Sequence, residues 1–309
     1  MAGRRHRRRP RRPRRHAGRP CRAARRLGEG RRAGHRRLRR AHGRRARDPG
    51  AVTGLAHDRT GTGPPLVLLH PLGADRHVWR PVLAHLAAHR EVVTVDLPGF
   101  GGSAPLPPGV TPTPGALAGA VRAFCDDALG PASWHVAGNS LGGWVALALG
   151  LDRAAQTVTA IAPAGLWSAP LAPKPGVARS LARAVAPVIG AATRVTAVRR
   201  VTLLGTMAHP ERVPPADAAA LVRSYGRAPG FTAVNAAMRA GRFPDLDRVG
   251  VPVTLVWPEH DRLIARPRTI PAAIREIALP GCGHIPMWDD PGAVAAALLA
   301  GSAVPAAAW

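Results

Sequence analysis

Short apolar runs alternate with helix-patterned stretches along most of this chain, and that alternation limits what it can fold into. The runs are residues 65–69, 91–95, 134–137, 157–161, 251–257 and 276–279. They are too short for buried helices and sit between Gly, Pro and polar punctuation, so they read as strands. Residues 77–89, 115–129, 141–153 and 266–275 carry helical spacing, and 289–300 makes a last helix with Asp289 and Asp290 in its first turn. Strands alternating with helices bury themselves as a mostly parallel central sheet with helices on both faces, an α/β fold. Residues 163–248 break the pattern. They hold helical stretches at 176–200 and 215–240 and no convincing strand, which predicts a helical cap inserted at about 163–248 into a domain spanning 52–309.

Residues 1–51 do not fit that domain. Residues 1–50 hold 22 of the 44 basic residues, two acids (Glu29 and Asp48) and two leucines (Leu27 and Leu38). Such a segment buries too little apolar area to offset its chain entropy and is expected to be disordered. The net charge of +26 therefore mostly describes this segment, since residues 51–309 carry 22 bases and 16 acids. Three readings apply to it. It is an inert tail, or a nonspecific nucleic-acid arm, or text upstream of the true start. The third reading rests on one lysine (Lys174) against 43 arginines, a sign of GC-rich coding DNA, with Val52 as a GTG initiator. No aromatic residue interleaves to stack on bases, so no specific nucleic-acid partner is expected.

Cys21, Cys125 and Cys282 are widely spaced and suggest neither a disulfide framework nor a metal cluster. No metal and no cofactor are expected. No apolar run approaches the ~18 residues of a membrane span, and the basic N-terminus lacks the apolar segment of a secretory signal. The expectation is a cytoplasmic protein acting on a small molecule without a membrane partner. The oligomeric state is open.

Gly138-Asn139-Ser140-Leu141-Gly142 matches G-x-S-x-G and lies between the strand at 134–137 and the helix at 141–153. A turn this sharp lifts the central side chain above the sheet as a nucleophile, and its flanking positions need glycine for strand and helix to approach. A serine nucleophile needs a base and an orienting acid, and catalytic groups gather at the carboxyl ends of parallel strands. Asp261 follows the strand at 251–257, and His284 follows the strand at 276–279. Ser140, Asp261 and His284 thus occur in the chain order expected for this motif. His260 rivals His284, but the flexible Gly281-to-Gly283 loop favours His284. Glu259 rivals Asp261, while Asp289 and Asp290 are better explained as helix caps. Two backbone N–H groups would stabilise an oxyanion: Leu141, after the serine, and Leu72, in the loop His70-Pro71-Leu72-Gly73.

These residues resemble the α/β-hydrolase superfamily, over nearly all of residues 52–305. The matching pieces are His70-Pro71-Leu72-Gly73, Asp96-Leu97-Pro98-Gly99-Phe100-Gly101-Gly102-Ser103, Gly138 to Gly143, Asp261 and Gly283-His284. The Gly138-to-Gly143 form is similar to bacterial capped esterases and C–C bond hydrolases. The resemblance implies hydrolysis of an ester-type bond in a small, largely apolar substrate through an acyl-enzyme on Ser140. C–C bond hydrolysis, lactone hydrolysis and a non-catalytic binding protein are the alternatives. The Gly-Pro-Gly associated with C–C hydrolases is absent, and Pro71 stands where Gly is common. Ser140 also argues against the epoxide hydrolase and haloalkane dehalogenase branches, which use an Asp nucleophile. Leu166, Trp167, Leu171, Val188, Ile189, Leu203, Leu204, Met207, Val234 and Met238 of the cap, with Trp79, Trp144 and Trp288, are expected to wall the pocket.

Overall fold

The computed structural model describes residues 54–173 and 176–303, so the Arg-rich segment, its expected disorder and Val52 lie outside the described residues. Seven strands form one sheet: β1 (His57–Thr60), β2 (Pro65–Leu69), β3 (Glu91–Val95), β4 (His135–Asn139), β5 (Val158–Ile161), β6 (Val253–Pro258) and β7 (Arg275–Leu279). Their spatial order is β1-β3-β2-β4-β5-β6-β7. β1 is antiparallel to β3, and every other pair is parallel. All six expected strands form, with ends shifted by one or two residues.

β1 is the strand that the pattern missed. All four of its residues are exposed, so it carries no apolar alternation and is held by its backbone pairing to β3.

The period of two along a strand sends alternate side chains to opposite faces. Val67 and Leu69 of β2 join one core with α2 (Pro114–Ala128) and α3 (Leu141–Leu151). Leu66 and Leu68 join the other with α1 (Arg80–Ala87) and α9 (Pro291–Gly301). β4, β5 and β6 are buried along their whole length, which explains why they read as continuous apolar runs.

Between β5 and β6 lie α4 (Val177–Val185), α5 (Ile189–Ala192), α6 (Thr196–Thr202), α7 (Pro215–Arg227) and α8 (Phe231–Ala240). The two long helices expected here are broken, the first at Pro187 and again at 193–195, the second at Pro229-Gly230. Proline removes a helix donor and clashes with the preceding turn. The same argument corrects the expected helix at 266–275. Pro267 and Pro271 interrupt it, and no helix forms there.

The insertion has a small core of its own, including Ala182, Ile189, Leu203, Met207, Val213 and Val222. The buried Arg199 guanidinium organises it by donating to the carbonyls of Thr193 (2.7 Å), Arg194 (3.2 Å) and Glu211 (3.2 Å). The insertion packs into the sheet half, since Phe231, Val234 and Met238 of α8 share the core that holds Leu141 and Trp144, and it also makes close contacts beside that core. A Cβ on Gly73 would lie 2.5 Å from the Tyr225 ring, and Gly230 N–H donates to the Gly99 carbonyl (2.9 Å). Arg80 of α1 pairs with Asp217 of α7.

Candidate active site

Ser140 links β4 to α3 with φ 56° and ψ −114°, a backbone region that L-residues rarely occupy. Such a residue costs about 1–3 kcal/mol and persists only where its surroundings enforce it. They do so here. Ser140 N–H donates to the Ile161 carbonyl (2.9 Å), and the Ser140 carbonyl accepts from Trp144 (3.1 Å) and Ala164 (3.0 Å). A Cβ on Gly138 would sit 2.1 Å from the Gly142 carbonyl oxygen, and one on Gly142 would sit 2.2 Å from that of Leu69. Glycine is therefore required on both sides by close backbone approach. Ser140 is 6% exposed, and its Oγ makes no hydrogen bond within the described residues.

His284 lies on the loop after β7, and Asp261 on the loop after β6. His284 Nδ1–H donates to Asp261 Oδ2 at 2.7 Å, with both side chains 5% exposed. The other carboxylate oxygen accepts from the N–H groups of Leu263 (2.7 Å) and Ile264 (3.0 Å). Burial opposes ionisation of Asp261. The His284 hydrogen bond and charge, with the two N–H groups, outweigh it and hold the carboxyl below its ordinary pKa. Asp261 is thus an anion that orients the imidazole and leaves Nε2 free to accept a proton. Asn139, next to Ser140, donates to the His284 carbonyl (3.0 Å) and the Ile161 carbonyl (3.2 Å), which ties the histidine loop to the elbow.

The rivals sit elsewhere. Glu259 is exposed, and its carboxylate accepts from Gly281 N–H (2.8 Å). His260 is also exposed.

The loop after β2 presents the Leu72 N–H. That N–H and the Leu141 N–H donate to no acceptor among the described residues, and Leu141 opens a helix whose first donors have no intrahelical partner. Sequence reasoning gave His70 no separate role, but the structure makes it the brace of this loop. His70 Nε2 accepts from Leu97 N–H (3.0 Å), so Nδ1 carries the proton and donates to the Pro71 carbonyl (2.9 Å). Ala74 N–H donates to the same carbonyl (3.1 Å). In a planar trans peptide, a carbonyl turned toward His70 turns the Leu72 N–H away from it. The pattern requires a neutral imidazole, and complete burial lowers the His70 pKa accordingly.

Asp289 was expected to cap a helix and does something else. Its oxygens accept from Gly283 N–H (2.8 Å) on the histidine loop and from Ala208 (3.0 Å) and His209 (2.7 Å) in the insertion. Ile285 N–H donates to the Thr206 carbonyl (2.7 Å) beside it. One buried carboxylate thus staples residues 206–209 to the loop bearing His284. Asp290 is the residue that caps α9, accepting from Ala293 N–H (2.8 Å).

Cys282 sits next to Gly283 with its thiol pushed up to about 11, first by burial and then by Asp289, Asp290 and Glu259. It stays a protonated, inert thiol at neutral pH. Among the described residues, no group of three or more His, Cys, Asp or Glu side chains is placed to hold a metal ion.

Six residues expected at the pocket wall lie elsewhere, and of these Ile189, Leu203 and Met207 are in the insertion's own core. Val188 and Leu204 are exposed, and Trp79 is buried in the core shared with α1 and α9. Trp144 and Trp167 stack edge-on at 5.7 Å, and both pack in the core that includes Leu141 and Leu72. Tyr225 and Phe231, absent from the expected wall, lie directly over Gly73 of the Leu72 loop.

A family model described as the alpha/beta hydrolase family matches residues 66–297, from β2 into α9. The chain belongs to the alpha/beta hydrolase family. Among curated relatives, it is 33% identical over 183 residues to epoxide hydrolase EphH of Mycobacterium tuberculosis, covering 54% of this chain and 85% of that protein. It is 42% identical over 96 residues to a pimeloyl-[acyl-carrier protein] methyl ester esterase of Aeromonas salmonicida, covering 31% of this chain and 35% of the relative. Among solved structures, a thermophilic esterase from Thermogutta terrifontis aligns with a TM-score of 0.60 at 24% identity, covering 80% of this chain and 92% of the other. That likeness concerns the fold. Within this alpha/beta hydrolase, Ser140, Asp261, His284 and the loop of Leu72 all stand at carboxyl ends of sheet strands, where the fold gathers reacting groups.

Proposed function

We propose that this alpha/beta hydrolase is a serine hydrolase that cleaves an ester-type bond in a small, largely apolar substrate. The observation that carries the reading is the buried 2.7 Å His284–Asp261 hydrogen bond tied through Asn139 to the strained elbow at Ser140. Ser140 Oγ attacks the carbonyl carbon while His284 Nε2 takes its proton. The oxyanion accepts from the Leu72 and Leu141 N–H groups. The intermediate collapses to an acyl-enzyme as His284 returns the proton to the departing alcohol. Water, activated by the same imidazole, then releases the acid. The Ser140–His284 contact forms with substrate, since such bonds are often loose in a free enzyme. The insertion at 163–248 serves as the cap, with Tyr225, Phe231, Trp144 and Trp167 offering apolar surface near the site.

Two relatives suggest different bonds, an epoxide and a methyl ester. The elbow residue favours the ester, because the epoxide branch relies on a carboxylate where this chain has Ser140. Incubation with a fluorophosphonate probe tests the reading, with intact mass locating the adduct. A single adduct on Ser140, together with turnover of short-chain p-nitrophenyl esters, is expected. Unimpaired ester turnover by Ser140→Ala, or turnover of styrene oxide in its place, would overturn it.

A further inference from the structure

Large aliphatic side chains are exposed on one part of this molecule far more than elsewhere. Of the eight exposed large hydrophobic residues among the described ones, six lie between Val177 and Leu204. Five of them fall on two stripes, and the sixth, Val195, precedes α6 between them. Val177, Leu181 and Ala184 follow the i, i+4, i+7 spacing of one face of α4, and Val188 is exposed just beyond the break at Pro187. Ala182, Ala186 and Ile189 occupy the opposite, buried side. On α6, Ala197, Val201 and Leu204 repeat the arrangement, with Arg199, Leu203 and Met207 facing inward. The large members of both stripes are 63–74% exposed. Two short helices that turn their apolar stripes outward have surface that no described residue covers, since a water-facing helix normally shows its polar side.

Charge identifies the partner. Residues 176–204 contain five arginines and no acid. Arg183, Arg194 and Arg200 are exposed beside the stripes, and Arg200 meets only the neighbouring Glu211, at 3.5 Å. The whole interval 163–248 holds 12 basic and four acidic residues, whereas the rest of 51–309 holds 10 and 12. Apolar side chains flanked by arginines on short amphipathic helices suit the headgroup boundary of an anionic bilayer. A second copy of the chain would set arginine against arginine, which disfavours self-association through this face.

We propose that α4 and α6 form a docking surface for anionic lipid membranes. Their aliphatic stripes enter the headgroup boundary while the arginines contact lipid phosphates. The sequence-based expectation of no membrane partner rested on the lack of a spanning segment, and no helix among the described residues is long and apolar enough to cross a membrane. Peripheral docking needs no such helix. The surface is coupled to the site, since α6 runs through Leu204 into residues 206–209, which Asp289 and Ile285 bind to the histidine loop. Docking of this kind is independent of which bond the protein cleaves.

The test uses the full chain carrying Cys21→Ser, because Cys125 and Cys282 are buried. An environment-sensitive NBD label is placed at Leu204→Cys, or at Ala296→Cys on the exposed side of α9 as a control. With phosphatidylglycerol-rich vesicles, the label at 204 should brighten and shift to the blue while the label at 296 stays unchanged. Pure phosphatidylcholine vesicles should have little effect. Adding Leu181→Ser and Val201→Ser should weaken vesicle binding roughly tenfold or more, with the melting temperature confirming an intact fold. Vesicle-bound protein whose 204 label does not shift would mean attachment by residues 1–53 alone and would overturn the proposal. Absence of binding would overturn it, as would an equal shift with polyglutamate and no lipid, which would indicate an acidic protein partner. A concentration-dependent shift without lipid would indicate a second copy and would overturn it as well.

Discussion

The sheet half and the helical insertion of this hydrolase are built by different rules. In the sheet half, five parallel pairings hold the strand ends in register, and the buried strands β4, β5 and β6 leave little freedom for the loops they launch. Ser140 and Asp261 stand on such loops and His284 on the loop after the edge strand β7, each braced by hydrogen bonds. The insertion consists of short helices, some around a small core of their own and some, through Phe231, Val234 and Met238, in the core of the sheet half, and it turns aliphatic side chains outward. The proposed chemistry thus sits on loops of the sheet half, and the proposed surroundings of the substrate sit largely on the insertion. The difference teaches that substitutions should split into two kinds, those that stop turnover without moving the fold and those that loosen the insertion.

The largest effect is expected at Ser140. Ser140→Ala should lower ester turnover by roughly 10⁴–10⁶-fold and leave the thermal midpoint unchanged, read by p-nitrophenyl ester assay and calorimetry on the same sample. Next comes the acid. Asp261→Asn should cost about 10⁴-fold in kcat, because it disturbs the tautomer and charge that Asp261 imposes on His284. Glu259→Gln should stay within a few-fold. If the two results are exchanged, Glu259 is the acid and the loop after β6 must rearrange on substrate binding.

Asp289 tests the seam between the halves. Asp289→Asn sets an amide donor among three N–H groups and should destabilise the protein by about 1–3 kcal/mol. Limited trypsin digestion should then cut at Arg212 in the insertion before the sheet half unfolds. Uniform protection of the insertion would show that Asp289 does not act as its staple.

The smallest effect lies in the sheet half. Burial lowers the pKa of His70, and burial followed by the nearby Arg90 charge lowers that of His135. The unfolded chain therefore binds protons that the folded chain refuses. Stability from these two residues is fully present above the ordinary imidazole pKa of about 6.5. It erodes as pH falls below that value, by at most about 1.4 kcal/mol per pH unit for each imidazole. His70→Asn, which keeps a donor for the Pro71 carbonyl, should flatten this slope in urea titrations between neutral and mildly acidic pH.

Most of the sheet was legible in the sequence because its strands are buried on both faces and read as continuous apolar runs. β1 was not, because four exposed polar residues at a sheet edge leave no periodic trace. No helix forms at 266–275 because of Pro267 and Pro271, and the insertion's helices break at Pro187, at 193–195 and at Pro229-Gly230, since apolar spacing alone does not register these interruptions. At the site, G-x-S-x-G and the two later strand ends marked Ser140, Asp261 and His284. Asp289 was misread because an acid before a helix has an adequate local explanation, while its partners Ala208 and His209 lie some 80 residues away. Val188 and Leu204 were assigned inward on hydrophobicity alone, and helix facing corrects them.

What the sequence determined by itself is the alternation of strands and helices, the elbow, and the order of the groups around it. These follow from local patterns and from steric demands within a few residues, such as the glycines beside Ser140. What only the tertiary structure decided is which acid meets His284, how His70 turns the Leu72 N–H, how Asp289 joins the halves, and which faces of α4 and α6 look outward. Those features depend on groups brought together from distant parts of the chain, and the contacts that select among equal local choices exist only once the sheet and the insertion have packed.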